Sequence, residues 1–363
     1  MKENLVDPRD TRGKKHDLEF VLVGITLSII TGNTLLSEIS RFLENYHSIL
    51  RKIVGLPKCK PISYSQLRRI ISFLASTNYQ EVQSSYFGWQ NTKDDDDWIS
   101  LDGKELRGTI AKSLGQKRGL NIVYGISQKD KISTAATFYE GAKESEITTV
   151  RELLNDLSLA SSNLTFDALH TQFETLEKCE SAKGIYIAQV KNNQKNLNVE
   201  LRNHEQSSVE FMSLSIDNKG HGRKETRTYS FYDIRKVTLD EKWVHCGIKS
   251  LIKVDRDRLI VNSNKRSIET SYYISNRDCN EIHPHKYAKA IKGHWTIEMS
   301  NYIRDVLFSE DNIRCSNRNQ AKGMAILITT VVNLIQRNKP KNIKAQREKF
   351  LSDIRKMASL FVI

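Results

Sequence analysis

The chain has 363 residues, enough for two or three domains and a sizeable core. Lysine and arginine outnumber aspartate and glutamate by 56 to 43, and a net charge of +13 points to a polyanionic partner, because clustered cations gain affinity by releasing phosphate counterions. The five cysteines (Cys59, Cys179, Cys246, Cys279, Cys315) contain no C-x-x-C pair, which argues against a disulfide framework or zinc knuckle and favours a reducing cytosol.

The first ninety residues read as helical. "FVLVGITLSII" at 20–30 is too short to span a bilayer and follows a charged stretch without a cleavage site, so it reads as a buried helix. In the next helix Leu35, Leu36, Ile39, Phe42, Leu43, Tyr46, Ile49, Leu50 and Ile53 recur at helical spacing as one wide apolar stripe. Ser63 and Gln66 form a capping-box pattern that opens a helix with Leu67, Ile70, Ile71 and Leu74 inward. Arg68 and Arg69 then face outward, either toward DNA phosphates or simply toward solvent. The acidic run "NTKDDDDW" is the first linker-like stretch, so a helical DNA-binding or associated domain is expected over 1–92.

Beyond it the pattern changes. "WISLD", 120–128 and 131–140 are β-rich; 144–159 is helical; "NLTFDALH" is a strand ending in Asp167; a helix leads to a strand over 185–190. Three antiparallel strands followed by βα units make a mixed sheet with helices on its faces, the order of a ribonuclease-H-like α/β (α+β) fold. Asp102-Gly103 alone reads as a two-residue hairpin turn. In this fold, however, Asp102 and Asp167 end neighbouring parallel strands about 4.8 Å apart, where both could share divalent ions. The expected boundaries are 93–204 for the first part of the catalytic domain, 205–280 for a β-rich insertion and 281–363 for a helical remainder. On the helix after the insertion, Trp295, Met299, Ile303, Val306 and Leu307 read as the buried stripe. His294, Glu298 and Asp305 share another face, with Tyr302 one turn beyond Glu298. Glu298, flanked by Trp295, Ile297 and Met299, would need a partner, whether a metal ion or an ordinary cation. Residues 319–338 read as a further, mostly buried helix.

Several segments together resemble a known family. "DPRDTRGKKHDL" and "PISYSQLRR", then "ISLDGKELRG", "GAKESEI", "LTFDALHTQ", "YIAQVKNNQ", "HGRKETR", "YYISN" and "GHWTIEMSNYIRDVLFSED" resemble, in order, the ISAs-type (H-repeat-associated) insertion-sequence transposases of the DDE superfamily. The resemblance implies Asp102, Asp167 and Glu298 as catalytic, metal-binding acids that hold two Mg²⁺ ions, with Mn²⁺ able to substitute. It implies strand cleavage and strand transfer at insertion-sequence ends, double-stranded DNA of the element ends and target as partner, and no membrane partner. It also implies a homodimer in the DNA complex and a cytoplasmic, nucleoid-associated bacterial protein. Related enzymes often carry a tyrosine and an arginine before the glutamate and a lysine seven residues after it; here those positions hold Ile291, His294 and Asp305. Lys292 or His294 would then supply the missing cation, and Asp305 with Tyr302 would support the glutamate or, for Asp305, compete for metal.

Lys104, Arg107, Lys191 and Gln194 are expected on DNA because they follow strands at the carboxyl edge of the sheet, where open α/β sheets bind ligands. His170 would orient a carboxylate, touch phosphate or serve as a helix-start contact. His221, Arg223 and Arg227 would grip DNA or form a charged turn, and Trp243 would stack on a base or fill core. Two other readings share these residues: a divalent-metal DNA nuclease without strand transfer, and a catalytically silent DNA-binding protein.

Overall fold

The computed structural model describes residues 5–54, 60–87, 96–110, 115–141, 143–155, 159, 161–220 and 222–358. Four helices come first: α1 (Leu18–Ile30), α2 (Leu36–Val54), α3 (Tyr64–Phe73) and α4 (Tyr79–Phe87). Strands β1 (Ile99–Leu106), β2 (Leu120–Ser127) and β3 (Ser133–Tyr139) precede α5 (Lys143–Leu153), β4 (Asn163–Phe166), α6 (Phe173–Ser181), β5 (Ile185–Val190) and α7 (Lys195–Ser207). The meander β6 (Met212–Gly220), β7 (Arg223–Asp233), β8 (Ser250–Ile260) and β9 (Lys265–Ser275) follows. The chain ends in α8 (Pro284–Gly293), α9 (Thr296–Phe308), α10 (Arg318–Arg337), α11 (Ile343–Leu351) and α12 (Ile354–Ala358).

Among the described residues nine strands form one sheet in the order β3-β2-β1-β4-β5-β9-β8-β7-β6. The first five carry the expected pattern: β1, β2 and β3 are antiparallel, whereas β4 pairs parallel with both β1 and β5. The segment expected as a β-rich insertion adds its strands to the free edge of β5 through an antiparallel β9, so it lengthens this sheet. Asp102 and Gly103 do not turn the chain. They lie inside β1, opposite Tyr124 and Val123 of β2.

Each face of the sheet buries a helical layer. Leu101, Val123 and Leu164 pack with Val150 and Leu153 of α5 and Leu176 of α6. On the other face Leu106, Ile122 and Tyr124 meet Ile297 of α9 and Ala321 and Ala325 of α10. α10 is buried almost all round because its far side packs against α1, α2 and α3 in a shared apolar core. Gly323 permits this approach: a Cβ there would lie 1.9 Å from the Ile71 carbonyl oxygen of α3. α1 is the expected buried helix, and among the described residues no helix is long and apolar enough to cross a membrane.

Two apolar stripes differ from expectation. On α2, Ile39, Phe42, Leu43 and Leu50 are buried, but Leu35, Tyr46, Ile49 and Ile53 are exposed. On α9 the buried face is Ile297, Ser300, Arg304 and Phe308, while Trp295, Met299 and Val306 face outward. The rotation follows from Arg304, which is fully buried because its guanidinium stacks 4.0 Å from the Tyr124 ring centroid and donates to the Thr329 hydroxyl at 2.9 Å. Trp243 is core, 2% exposed. His221 lies outside the described residues; Arg223 is exposed, and Arg227 pairs with Glu225 at 2.8 Å.

Candidate active site

The β1–β4 register aligns Ser100 with Thr165, whose hydroxyls meet at 3.1 Å across 65 residues. Asp102 and Asp167 have the same separation in sequence; the paired register ends at Ser100 and Thr165, so Asp167 reaches the site from the turn after β4, and its charge is felt at Asp102. β4 ends at Phe166 while β1 runs on to Leu106, which leaves a gap beside β1 at the height of Asp102. The turn after β4 fills that gap. It is fixed by Thr171, whose hydroxyl donates to the Asp167 and Gln189 carbonyls at 3.1 and 2.7 Å, and by Asn193, whose amide donates to the Ala168 carbonyl at 2.6 Å.

His170 on this turn is fully enclosed. Its backbone N–H donates to Asp167 Oδ1 at 3.2 Å, and its ring Nε2 lies 3.2 Å from Glu146 Oε1 on α5. Asp102, Glu146 and His170 each present a ligand atom within 4.8 Å of the others. Burial, and then the charges of Asp167 and Glu146, push the Asp102 carboxyl up to about 7. Burial also acts to raise Glu146, but its contacts with His170 and with the Tyr139 hydroxyl, which donates at 2.8 Å, outweigh that and hold it below the usual range. The same burial and the Glu146 charge raise Tyr139, which keeps the phenol a donor.

Glu146 was not singled out in the sequence. It belongs to "KESE", a first turn of α5 that reads as a solvated helix start, and only packing carries it to the site. The one signal was Gly103, which faces it across β1.

Glu298 lies in the first turn of α9 and is exposed, outside the Asp102–Glu146–His170 cluster. The apolar setting expected for it is absent, since Trp295 and Met299 also face solvent. Its position is still constrained. His294, one turn earlier on the same flank, meets the Thr165 hydroxyl on β4 at 2.9 Å, and Asp305, two turns later, is 2.5 Å from Lys104 Nζ on β1. Glu298 lies between these two anchors along the chain, on the exposed side of α9.

Four expected DNA contacts are corrected. Lys104 is buried, with its ammonium 2.5 Å from both Asp305 and Glu310, so its charge is spent inside the protein. Burial opposes the charged form of Lys104, but the Glu310 and Asp305 carboxylates prevail and raise its pKa. His170 is enclosed among carboxylates and cannot reach a phosphate. His294 is neutral at ordinary pH, because burial lowers it to about 4 against the pull of Asp167, so it does not replace a missing cation. Gln194 spends its amide on the Thr171 carbonyl and on Gln172 Oε1, bracing the turn after Asp167.

Arg107, 76% exposed, Lys191 and Lys292 remain at the surface, although Lys292 also donates to Asn218. Tyr302 is exposed, and Asp305 is held by Lys104.

Known proteins similar to this chain identify its family. The family model described as "Transposase DDE domain" matches residues 94–334, and one described as "DDE_Tnp_1-associated" matches residues 3–89. The "H repeat-associated putative transposase YhhI" of Escherichia coli (strain K12) is 27% identical over 341 residues, covering 92% of this chain and 88% of that protein. The "Putative transposase YncI" of Escherichia coli O157:H7 is 26% identical over 337 residues, 91% of this chain and 85% of that protein. Among solved structures, a piggyBac transposase synaptic complex with hairpin DNA aligns over 96% of this chain and 78% of that chain, with a TM-score of 0.39 and 14% identity. With its two family models matched side by side along nearly its whole length, the chain belongs to the DDE transposase family.

Proposed function

We propose that this protein is a DNA transposase that cuts at the ends of its element and joins them to target DNA, with Asp102, Asp167 and Glu298 holding a pair of divalent ions. The observation that carries the reading is the buried Asp102 carboxyl, raised to about 7 by burial and by the charges of Asp167 and Glu146. Carboxylates forced together at that cost suit hard divalent cations such as Mg²⁺, which take oxygen donors and relieve the repulsion. When bound, two such ions would activate the attacking hydroxyl and stabilise the leaving oxygen.

The chain's own part is positional. In this reading the turn after β4 brings Asp167 to Asp102 on β1, and the Lys104–Asp305 and His294–Thr165 contacts hold α9, which carries Glu298, against the sheet. Arg107 and Lys191 border the site as exposed cations able to receive a phosphodiester backbone. No side chain need form a covalent intermediate, so water and a DNA 3′-hydroxyl can be used in turn at one site.

The test uses labelled DNA carrying the element's terminal repeats, in Mg²⁺. Asp102→Asn, Asp167→Asn and Glu298→Gln, each shown to be folded, are expected to lose cleavage by at least about 10³-fold. Undiminished cutting by one of them removes that residue from the site. Pre-cut ends supplied with target DNA separate a transposase, which joins them, from a nuclease, which does not.

A further inference from the structure

Gly103 sits in extended backbone within β1, and the space its side chain would take is filled by another residue's carboxylate. A Cβ there would lie 2.3 Å from Glu146 Cδ and 2.5 and 2.7 Å from its two oxygens. The fold therefore brings an acid from the helix layer through the plane of the strand toward Asp102. On the far side of the gap, His170 is fully enclosed, and neither of its ring nitrogens makes a hydrogen bond among the described residues. Its Nε2 lies 3.2 Å from Glu146 Oε1, near enough for charge contact but off the line of a hydrogen bond. A buried imidazole that has one carboxylate neighbour at Nε2 and no partner at Nδ1 is costly unless something else engages it.

We propose that Asp102, Glu146 and His170 form a divalent-cation site in the DNA-free protein, with Glu146 and His170 as ligands beyond the Asp102–Asp167–Glu298 set. The inference deepens the proposed transposase reading and shares Asp102 with it. Two carboxylates and one imidazole make a mixed oxygen and nitrogen donor set, which takes a first-row transition ion such as Mn²⁺ more readily than Mg²⁺. Glu298, exposed and outside the cluster, is not needed for this ion.

The experiment titrates Mn²⁺ into the full-length, DNA-free protein and follows the free-ion electron paramagnetic resonance signal. Glu146→Gln, which preserves shape and the Gly103 contact, is expected to weaken Mn²⁺ binding by at least about tenfold. Glu241→Gln, at an exposed acid outside the cluster, is expected to change it less than about twofold. Wild-type protein with Mn²⁺ bound is expected to show nitrogen modulation of the pulsed signal. Gly103→Ala, which displaces the Glu146 carboxylate without removing it, is expected to weaken binding as Glu146→Gln does.

Wild-type affinity in Glu146→Gln overturns the proposal, as does an equal loss in Glu241→Gln or the absence of nitrogen modulation. Mn²⁺ binding that depends on Glu146 in a protein that never cuts DNA would leave this site standing and remove the transposase reading. Cutting with Mn²⁺ affinity insensitive to Glu146 would do the reverse.

Discussion

Lys104 Nζ lies 2.5 Å from Asp305 Oδ1 across 201 residues of chain, joining β1, which carries Asp102, to α9, which carries Glu298. Glu310 accepts from the same ammonium at 2.5 Å, and Arg304 approaches Glu310 at 3.9 Å, so two cations and two acids share one interior network. Such a network is worth little over a well-packed apolar core while it is whole, but breaking it leaves a charge buried alone. Lys104→Met is expected to destabilise the protein by about 3–5 kcal/mol. Lys104→Arg, which keeps the charge, should lose less, and denaturant unfolding of both variants gives the comparison.

The pH dependence of stability has a definite sign. Asp102 has a folded value of about 7 against an ordinary 3.8, so the fold favours its protonated form. This contribution is fully present below 3.8 and is lost as pH rises through 7. Relative to Asp102→Asn, metal-free protein should lose about 1.4 kcal/mol per pH unit between pH 5 and 7 and level off above that. Divalent ions reverse the sign, since they bind the carboxylate and should bind more tightly as pH rises. Thermal melts in chelator and in Mn²⁺ across this range test both slopes, and a flat difference between wild type and Asp102→Asn would contradict the assignment.

Two tryptophans should respond in opposite ways. Trp243 is 2% exposed in the core beneath the sheet, so Trp243→Ala should cost about 3–5 kcal/mol. Trp295 is 60% exposed, and Trp295→Ala should stay within about 0.5 kcal/mol of wild type. Unfolding curves for the pair would also reveal whether the outward face of α9 is correctly assigned.

The surface cations beside the site should act through phosphate alone. Arg107→Ala and Lys191→Ala are each expected to weaken DNA binding with little regard to sequence and to lower the salt slope of the affinity by about 1. Fluorescence anisotropy over a salt series measures this. A variant that leaves the slope unchanged does not touch the backbone.

Gly323→Ala should part α10 from α3, because its Cβ would strike the Ile71 carbonyl oxygen and backbone cannot swing aside. A loss of about 1–3 kcal/mol is expected from overpacking, read as a lowered denaturation midpoint.

Much of this architecture was legible in the residues themselves. Alternation and capping are local properties, so β2, β3, β4, β5 and the buried α1 fell where the pattern put them. Asp102 and Asp167 could be paired because each ends or continues a strand whose neighbour was predictable. The amphipathic reading of α9 failed for a physical reason: apolar periodicity assumes that charge stays outside. Arg304 breaks that assumption through Tyr124, a partner 180 residues away. Lys104 was misread in the same way, its burial made possible by acids that no local window contains.

By itself the sequence determined the order of elements and that Asp102 and Asp167 belong on or just beyond adjacent strands, because those follow from short-range periodicity and sheet connectivity. Only the tertiary structure decided which cations face inward, and only it placed Glu146 and His170 beside Asp102. Those outcomes depend on contacts between distant segments, on the absence of a side chain at Gly103, and on which charges find partners once water is excluded.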